Sequence, residues 1–317
     1  MKKILKNIFL FSILLLQLFL LACKKDNDDD IVPDTPDAFV TAIEDDINAD
    51  SIRANVQWMQ NYTTRFFLNN NRKQIATDIK NKFIHLGYPD TRIDSFSLTA
   101  DWNSTTYYTW QYNVIARLQG NSSPENIYVI GAHYDCMVDE GDPFTNAPGA
   151  NDNASGIAGL VEIARVMKKH SFTPKNTIEF VAFASEEYEL NGSADYANKA
   201  TNIVMMLNND MTAYEPNTDP TGWTVNVMDY SNSSDLRTMF VKCGKTYTAL
   251  NFANDNEYNQ DGDSYSFFDK GFKAVFIISN TEDSYYHTID DVWNNYNYNY
   301  CKEVTSVSCA LLVKENK

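Results

Sequence analysis

Short apolar runs and stretches of helical spacing alternate along most of the chain. Arg92–Leu98 alternates apolar and polar residues, and Trp110–Leu118 (WQYNVIARL) is a second β-like run ending at Gly120, so the two predict an opening hairpin-like unit. Asn126–Ala132 (NIYVIGA), Thr177–Ala184 (TIEFVAFA), Asn202–Leu207 (NIVMML) and Ala274–Ser279 (AVFIIS) are short, rich in β-branched and aromatic residues, and read as buried strands. Phe39–Tyr62 and Asn71–Leu86 carry apolar residues at roughly helical spacing, the second stopped by Gly87. Asp152–Lys169 (DNASGIAGLVEIARVMKK) predicts a further helix with small residues in its first turn, and Tyr296–Val313 a closing one. Strands interleaved with helices imply an α/β fold: a three-layer α/β/α sandwich whose mixed central sheet is mostly parallel with an antiparallel edge.

The N-terminal stretch breaks this pattern. Lys2, Lys3 and Lys6 precede an apolar run, Ile8–Leu21, that is short for a membrane span and interrupted by Ser12 and Gln17, so residues 1–22 have the layout of a signal peptide. Leu20-Leu21-Ala22-Cys23 resembles a bacterial lipobox, which would make Cys23 a lipidated N-terminus; a plain cleaved signal peptide is the alternative. Residues 23–38 are acidic and proline-punctuated, with too little apolar surface to fold alone, and read as a tether. Residues 39–317 then have a length that suits a single domain. The expected location is the cell envelope, lipid-anchored at the outer membrane, cell surface or periplasmic face, with the anchor as the contact to the membrane.

Charge narrows the partners. The chain has 26 basic and 42 acidic residues, and without the expected signal segment 23 against 42, or −19. Such a surface repels nucleic acid and anionic lipid and favours a cationic substrate terminus, although excess acid is also an ordinary solubility device. Beyond Cys23 there are Cys136, Cys243, Cys301 and Cys309; an exported chain allows disulfides, and four cysteines permit three full pairings. On one helix Cys301 and Cys309 would stand about 12 Å apart, too far to bond to each other. The absence of a Cys-x-x-Cys spacing argues against metal binding by thiols.

Candidate chemistry gathers at the ends of the strand-like runs, where open α/β sheets bind ligands. His133 follows the third run, with Asp135 two residues on and able to take its spare ring N–H. Asp152 stands where a helix N-cap would, a position that also suits a metal-bridging carboxylate. Glu186 and Glu187 close the fourth run; adjacent carboxylates point differently, so one can bind metal while the other accepts a proton. Asp210 follows the fifth run, and His287 lies in a polar loop after the last. Each motif alone is weak: His-x-Asp can be a polar loop, and Glu-Glu a solvated pair. Nitrogen and oxygen donors of this mixture suit zinc, with manganese, cobalt or iron as alternatives.

His133-x-Asp135, Asp152-x-x-Ser155-Gly156, Glu186-Glu187, Asp210-Met211 and His287-Thr288 together resemble the di-zinc aminopeptidase family of bacterial leucyl aminopeptidases and aminopeptidases S and Y, with glutamate carboxypeptidase II as a larger relative. The resemblance runs from about Tyr62 to the C-terminus. It implies two zinc ions, one held by His133 and Asp210, the other by Glu187 and His287, with Asp152 bridging them. It also implies Glu186 as general base, Asp135 as the partner of His133, and peptides with a free N-terminus as substrates; the chain is expected to act as a monomer. Asp261–Phe267 (DGDSYSF) is similar to the family's Ser-Asp-His segment near the substrate pocket but departs from it at Gly262 and Ser264. Two rival readings stand beside this one. A glutaminyl-peptide cyclotransferase, which uses one zinc, shares most of these motifs, though Asp152–Gly156 fits the hydrolase wording better. A non-catalytic peptide-binding surface lipoprotein would have no need of both ligands and base.

Overall fold

The computed structural model describes residues 28–317, so the expected signal segment and Cys23 lie outside the described residues. The chain divides into two compact units, Met1–Val32 and Pro33–Lys317. Of the first, only a short 3-10 turn at Asp28–Asp30 and the residues to Val32 are described. Among the described residues no helix is long and apolar enough to cross a membrane.

The second unit is built on one sheet. Its strands are β1 (Thr91–Trp102), β2 (Thr105–Leu118), β3 (Ser123–His133), β4 (Asn176–Phe183), β5 (Ile203–Asn209), β6 (Thr224–Asp229), β7 (Asn251–Ala253) and β8 (Ala274–Ser279), in the spatial order β1-β2-β4-β3-β5-β8-β6-β7. The central strands β4, β3, β5 and β8 run parallel, while β1–β2 is an antiparallel hairpin that joins β4 antiparallel over Val114–Leu118. On the other side β6 is antiparallel to β8. This is the mixed, mostly parallel arrangement that strand–helix alternation predicts.

Alternation along the strands divides the core into two faces. Ile178, Phe180 and Ala182 of β4 join Ile130 and Ala132 of β3 in the larger cluster, whereas Val181, Phe183 and Val129 join the smaller. The larger face is covered by α1 (Ala38–Glu44), α2 (Ala49–Gln60), α3 (Arg72–His85), α4 (Gly156–Lys169), α6 (Ser234–Tyr247) and α8 (Tyr298–Asn316); the smaller by α5 (Asn191–Lys199) and α7 (Ser264–Asp269). Helix α4 is buried nearly all round, as its apolar sequence requires, because α2 and α8 flank it and the sheet lies beneath.

Three local expectations are changed by the folded chain. The helical stretch Phe39–Tyr62 is two helices, divided at Asp45–Asn48, where Asn48 caps α2 by accepting the Ser51 N–H. The acidic stretch up to residue 38 is fastened at its end: Asp34 pairs with Lys242 and Lys314, and the Asp37 carboxylate caps α1. Finally, Cys136, Cys243, Cys301 and Cys309 are all buried free thiols, so none of the pairings open to four cysteines is formed.

Candidate metal centre

Parallel strands deliver their carboxyl ends to one edge of the sheet, and four loops meet there. His133 is the last residue of β3, Asp210 directly follows β5, Glu186 and Glu187 lie just past β4, His287 follows β8, and Asp152 comes from the segment joining β3 to α4. Ser185, Met211 and His287 have φ of +59°, +49° and +53°, left-handed values that turn the chain sharply beside the carboxylates.

Asp152 occupies the middle. Its two carboxylate oxygens each lie 3.2 Å from an imidazole Nε2, one from His133 and the other from His287. Asp210 Oδ1 is 3.3 Å from His133 Nε2, and Glu187 Oε2 is 2.9 Å from His287 Nε2. Glu186 Oε2 is the more distant neighbour, 3.7 Å from His133 Nε2. The helix expected from Asp152 in fact begins at Gly156, after an irregular turn over Ala150–Ser155. Asn153 takes over the capping task, its Oδ1 accepting the Gly156 N–H at 2.8 Å, and Asp152 is left to face the two imidazoles.

Asp135 contributes differently from the expected side-chain bond to His133. Its carboxylate lies 3.6 Å from His133 Nδ1, while its backbone carbonyl is nearer, at 3.2 Å. The carboxylate instead accepts the N–H groups of Glu186 at 3.1 Å and Glu187 at 3.3 Å, and so fixes the Glu-Glu turn. A second brace, Asp291, accepts the Asn151 N–H at 2.7 Å and the Asp152 N–H at 3.1 Å, with the Tyr296 hydroxyl donating to the same carboxylate. Tyr286 stacks on His287, with ring centroids 3.8 Å apart.

Electrostatics fit a cation site. Asp152 is buried, yet hydrogen bonds to His133 and His287 hold it well below the ordinary carboxylate range. Burial opposes charge on His287 too, but Asp152 and Glu187 push its pKa up to about 11. Burial drives Glu187 up to about 7, Asp152 adding to the shift, and raises Glu186 well above its usual value. Carboxylates thus outnumber imidazoles; Glu187 Oε1 is buried without a hydrogen-bond partner, and buried Asp210 Oδ1 has the long 3.3 Å approach to His133 Nε2 in place of a good hydrogen bond. Two overlapping groups, His133–Glu186–Asp210 and His133–Asp152–Glu187, each bring their donor atoms within 4.8 Å of one another. Hard oxygen and borderline nitrogen donors with spare lone pairs are what zinc takes.

Asp263 is the residue whose place sequence reasoning saw least clearly. It is fully buried, neither carboxylate oxygen has a hydrogen-bond partner, and burial lifts its pKa to about 7. The only signal was its position inside the segment similar to Ser-Asp-His.

Known proteins resemble this chain in sequence and in fold. A probable zinc metalloprotease of Pyrenophora teres f. teres (strain 0-1) is 32% identical over 198 residues, 57% of this chain and 40% of that protein, so the chain spans well under two thirds of that relative's length. An aminopeptidase from Aneurinibacillus sp. strain AM-1 shares the fold with a TM-score of 0.72 at 15% identity, covering 88% of this chain and 96% of that one. Bacteroides thetaiotaomicron glutaminyl cyclase bound to N-acetylhistamine shares it with a TM-score of 0.67 at 18% identity, covering 85% and 98%. The model of peptidase family M28 matches residues 113–312, well over half of the chain and every residue placed around Asp152 above. This chain belongs to peptidase family M28.

Proposed function

We propose that the chain is an aminopeptidase that removes the N-terminal residue of peptides at a two-zinc centre. The observation that carries this reading is Asp152, with one carboxylate oxygen 3.2 Å from each of two imidazoles. In this reading His133 and Asp210 would hold one zinc and Glu187 and His287 the other, with Asp152 placed to serve both. Zinc at such a centre supplies Lewis-acid polarisation of the scissile carbonyl and lets water ionise near neutral pH. Glu186, set back from the imidazoles, takes the proton of the attacking water and returns it to the departing amine. Asp135 keeps Glu186 and Glu187 on their separate courses by holding both of their N–H groups. The carboxylate excess favours a positively charged substrate terminus, which confines cleavage to the first residue. The names of the Pyrenophora and Aneurinibacillus relatives support the metal and the reaction class.

A glutaminyl-peptide cyclotransferase is the second reading, favoured by the fold shared with the Bacteroides cyclase. One experiment separates them: N-terminally free, N-blocked and N-glutaminyl peptides are incubated with the protein and products and bound zinc are quantified on the same sample. An aminopeptidase releases the first residue of free peptides and carries two zinc ions per chain. Pyroglutamate formation with one zinc would favour the cyclase, and zinc binding without turnover a peptide-binding protein. The proposal extends to Cys23 as a lipid anchor in the cell envelope. Cys23→Ala should then move the protein from the membrane fraction to the soluble one, and continued attachment would contradict the anchor.

A further inference from the structure

One fully buried cation has no part in the chemistry above. Arg65 is 1% exposed and lies outside residues 113–312, the span matched by the family. All four hydrogen bonds of its side chain end on backbone carbonyls: Nε donates to Tyr134 O at 2.7 Å, one terminal nitrogen to Pro148 O at 2.8 Å and Met59 O at 3.3 Å, and the other to Gly149 O at 2.6 Å. None of these acceptors is a carboxylate. Burying a guanidinium against neutral acceptors is expensive, and an apolar side chain would fill the same space at lower cost. What the guanidinium offers in return is a rigid planar fork of donors that fixes the spacing of the groups it binds.

Those groups belong to the centre. Tyr134 directly follows His133, and Pro148–Gly149 lead into Asp152. The approach is close enough to require glycine: a Cβ on Gly149 would lie 2.6 Å from an Arg65 terminal nitrogen, and the residue has φ +55°. Neighbours of Arg65 grip the same loop. Thr63 O accepts the Ala147 N–H at 3.1 Å, the Thr64 hydroxyl donates to Pro143 O at 2.6 Å, and the Asn69 amide to Phe144 O at 2.7 Å. The loop also carries Asp139, whose N–H donates to His287 O at 2.9 Å.

We infer that Arg65 is a positioning residue that sets the separation of His133 and Asp152 by clamping the two ends of the loop between them. The inference rests on reading the centre as a zinc site. Arg65→Lys keeps the charge but replaces the fork with a single ammonium that cannot span the four carbonyls; Arg65→Met keeps the apolar stem alone. Zinc affinity of wild type and variants is measured by competition with a chromogenic chelator, alongside thermal unfolding of the chelator-stripped proteins and steady-state kinetics on an aminoacyl amide. The expected result for folded Arg65→Lys is zinc binding weaker by about 10- to 100-fold, a fall in kcat with little change in KM, and a stripped-protein Tm close to that of stripped wild type. Thr64→Val, which removes one loop contact and leaves the four carbonyls held, should bind zinc like wild type. Zinc affinity of Arg65→Lys within about twofold of wild type would overturn the inference. So would failure of both Arg65 variants to fold, which would assign Arg65 to the fold instead. Wild type that binds no zinc at all would sink the metal reading itself, a different result in a different arm.

Discussion

Glu186 and Glu187 are adjacent in sequence, yet only Glu187 reaches an imidazole at hydrogen-bond distance, 2.9 Å from His287, while Glu186 stands 3.7 Å from His133. In the proposed mechanism that difference separates a proton acceptor from a ligand. Glu186→Gln should therefore lower kcat by about 10²- to 10⁴-fold, the usual contribution of a general base, while zinc content measured by mass spectrometry stays at the wild-type level. Parallel loss of zinc would reverse the two assignments. Asp291 acts one step further out. Asp291→Ala removes the acceptor for the Asn151 and Asp152 N–H groups, so zinc affinity should weaken by about 10- to 100-fold, and a chelator competition showing unchanged affinity would reduce Asp291 to a packing residue.

The elements that aim these residues approach one another closely. A Cβ on Gly156 would meet Asn209 O at 2.3 Å and Ala132 Cβ at 2.9 Å, so the first turn of α4 rests directly on the ends of β5 and β3. Gly156→Ala should cost about 1–3 kcal/mol of stability in urea unfolding and lower activity with it, since whatever yields is next to Asp210, His133 or Asp152. Helix α1 carries a second test. Burial pushes the Glu44 carboxyl up to about 7, with Asp45 and Glu303 adding to the shift. The native state therefore holds a proton that the unfolded chain releases nearer 4.5, and stability is lost as pH rises through that window. Glu44→Gln should raise stability by about 2 kcal/mol at pH 8 and leave it nearly unchanged at pH 4, as read by unfolding at both pH values. Much of this level could be read from the chain itself. The buried strands β3, β4, β5 and β8 are apolar enough to stand out, and His133, Glu186, Glu187 and Asp210 follow three of them within a few residues. Strand β6 (TVNVMD) and helix α6 (SDLRTMFVKCGKTY) lack that contrast, because their burial comes from neighbours distant in sequence. Arg65, Asp263 and Asp291 were not legible as site residues for the same reason: carbonyls, N–H groups or neighbouring charges from remote loops give each its meaning.

At the scale of the molecule, the centre ties together loops from four strands and the start of α4, so a cation bound there binds the folded state alone. Stripping with chelator should lower Tm by about 10 °C when zinc is otherwise present at about a thousand times its dissociation constant, and an unchanged Tm would mean that the centre holds no metal tightly. The four buried cysteines bear on the same question from outside the centre. Cys136 sits on the loop held by Arg65, Cys243 on α6, and Cys301 and Cys309 on α8, so together they sample the loop beside the centre and the helices packed on the larger face of the sheet. A thiol sealed from solvent is alkylated only when its surroundings open. Mass-resolved labelling at these sites would then chart how often each neighbourhood breathes, by means of reporters the chain already carries.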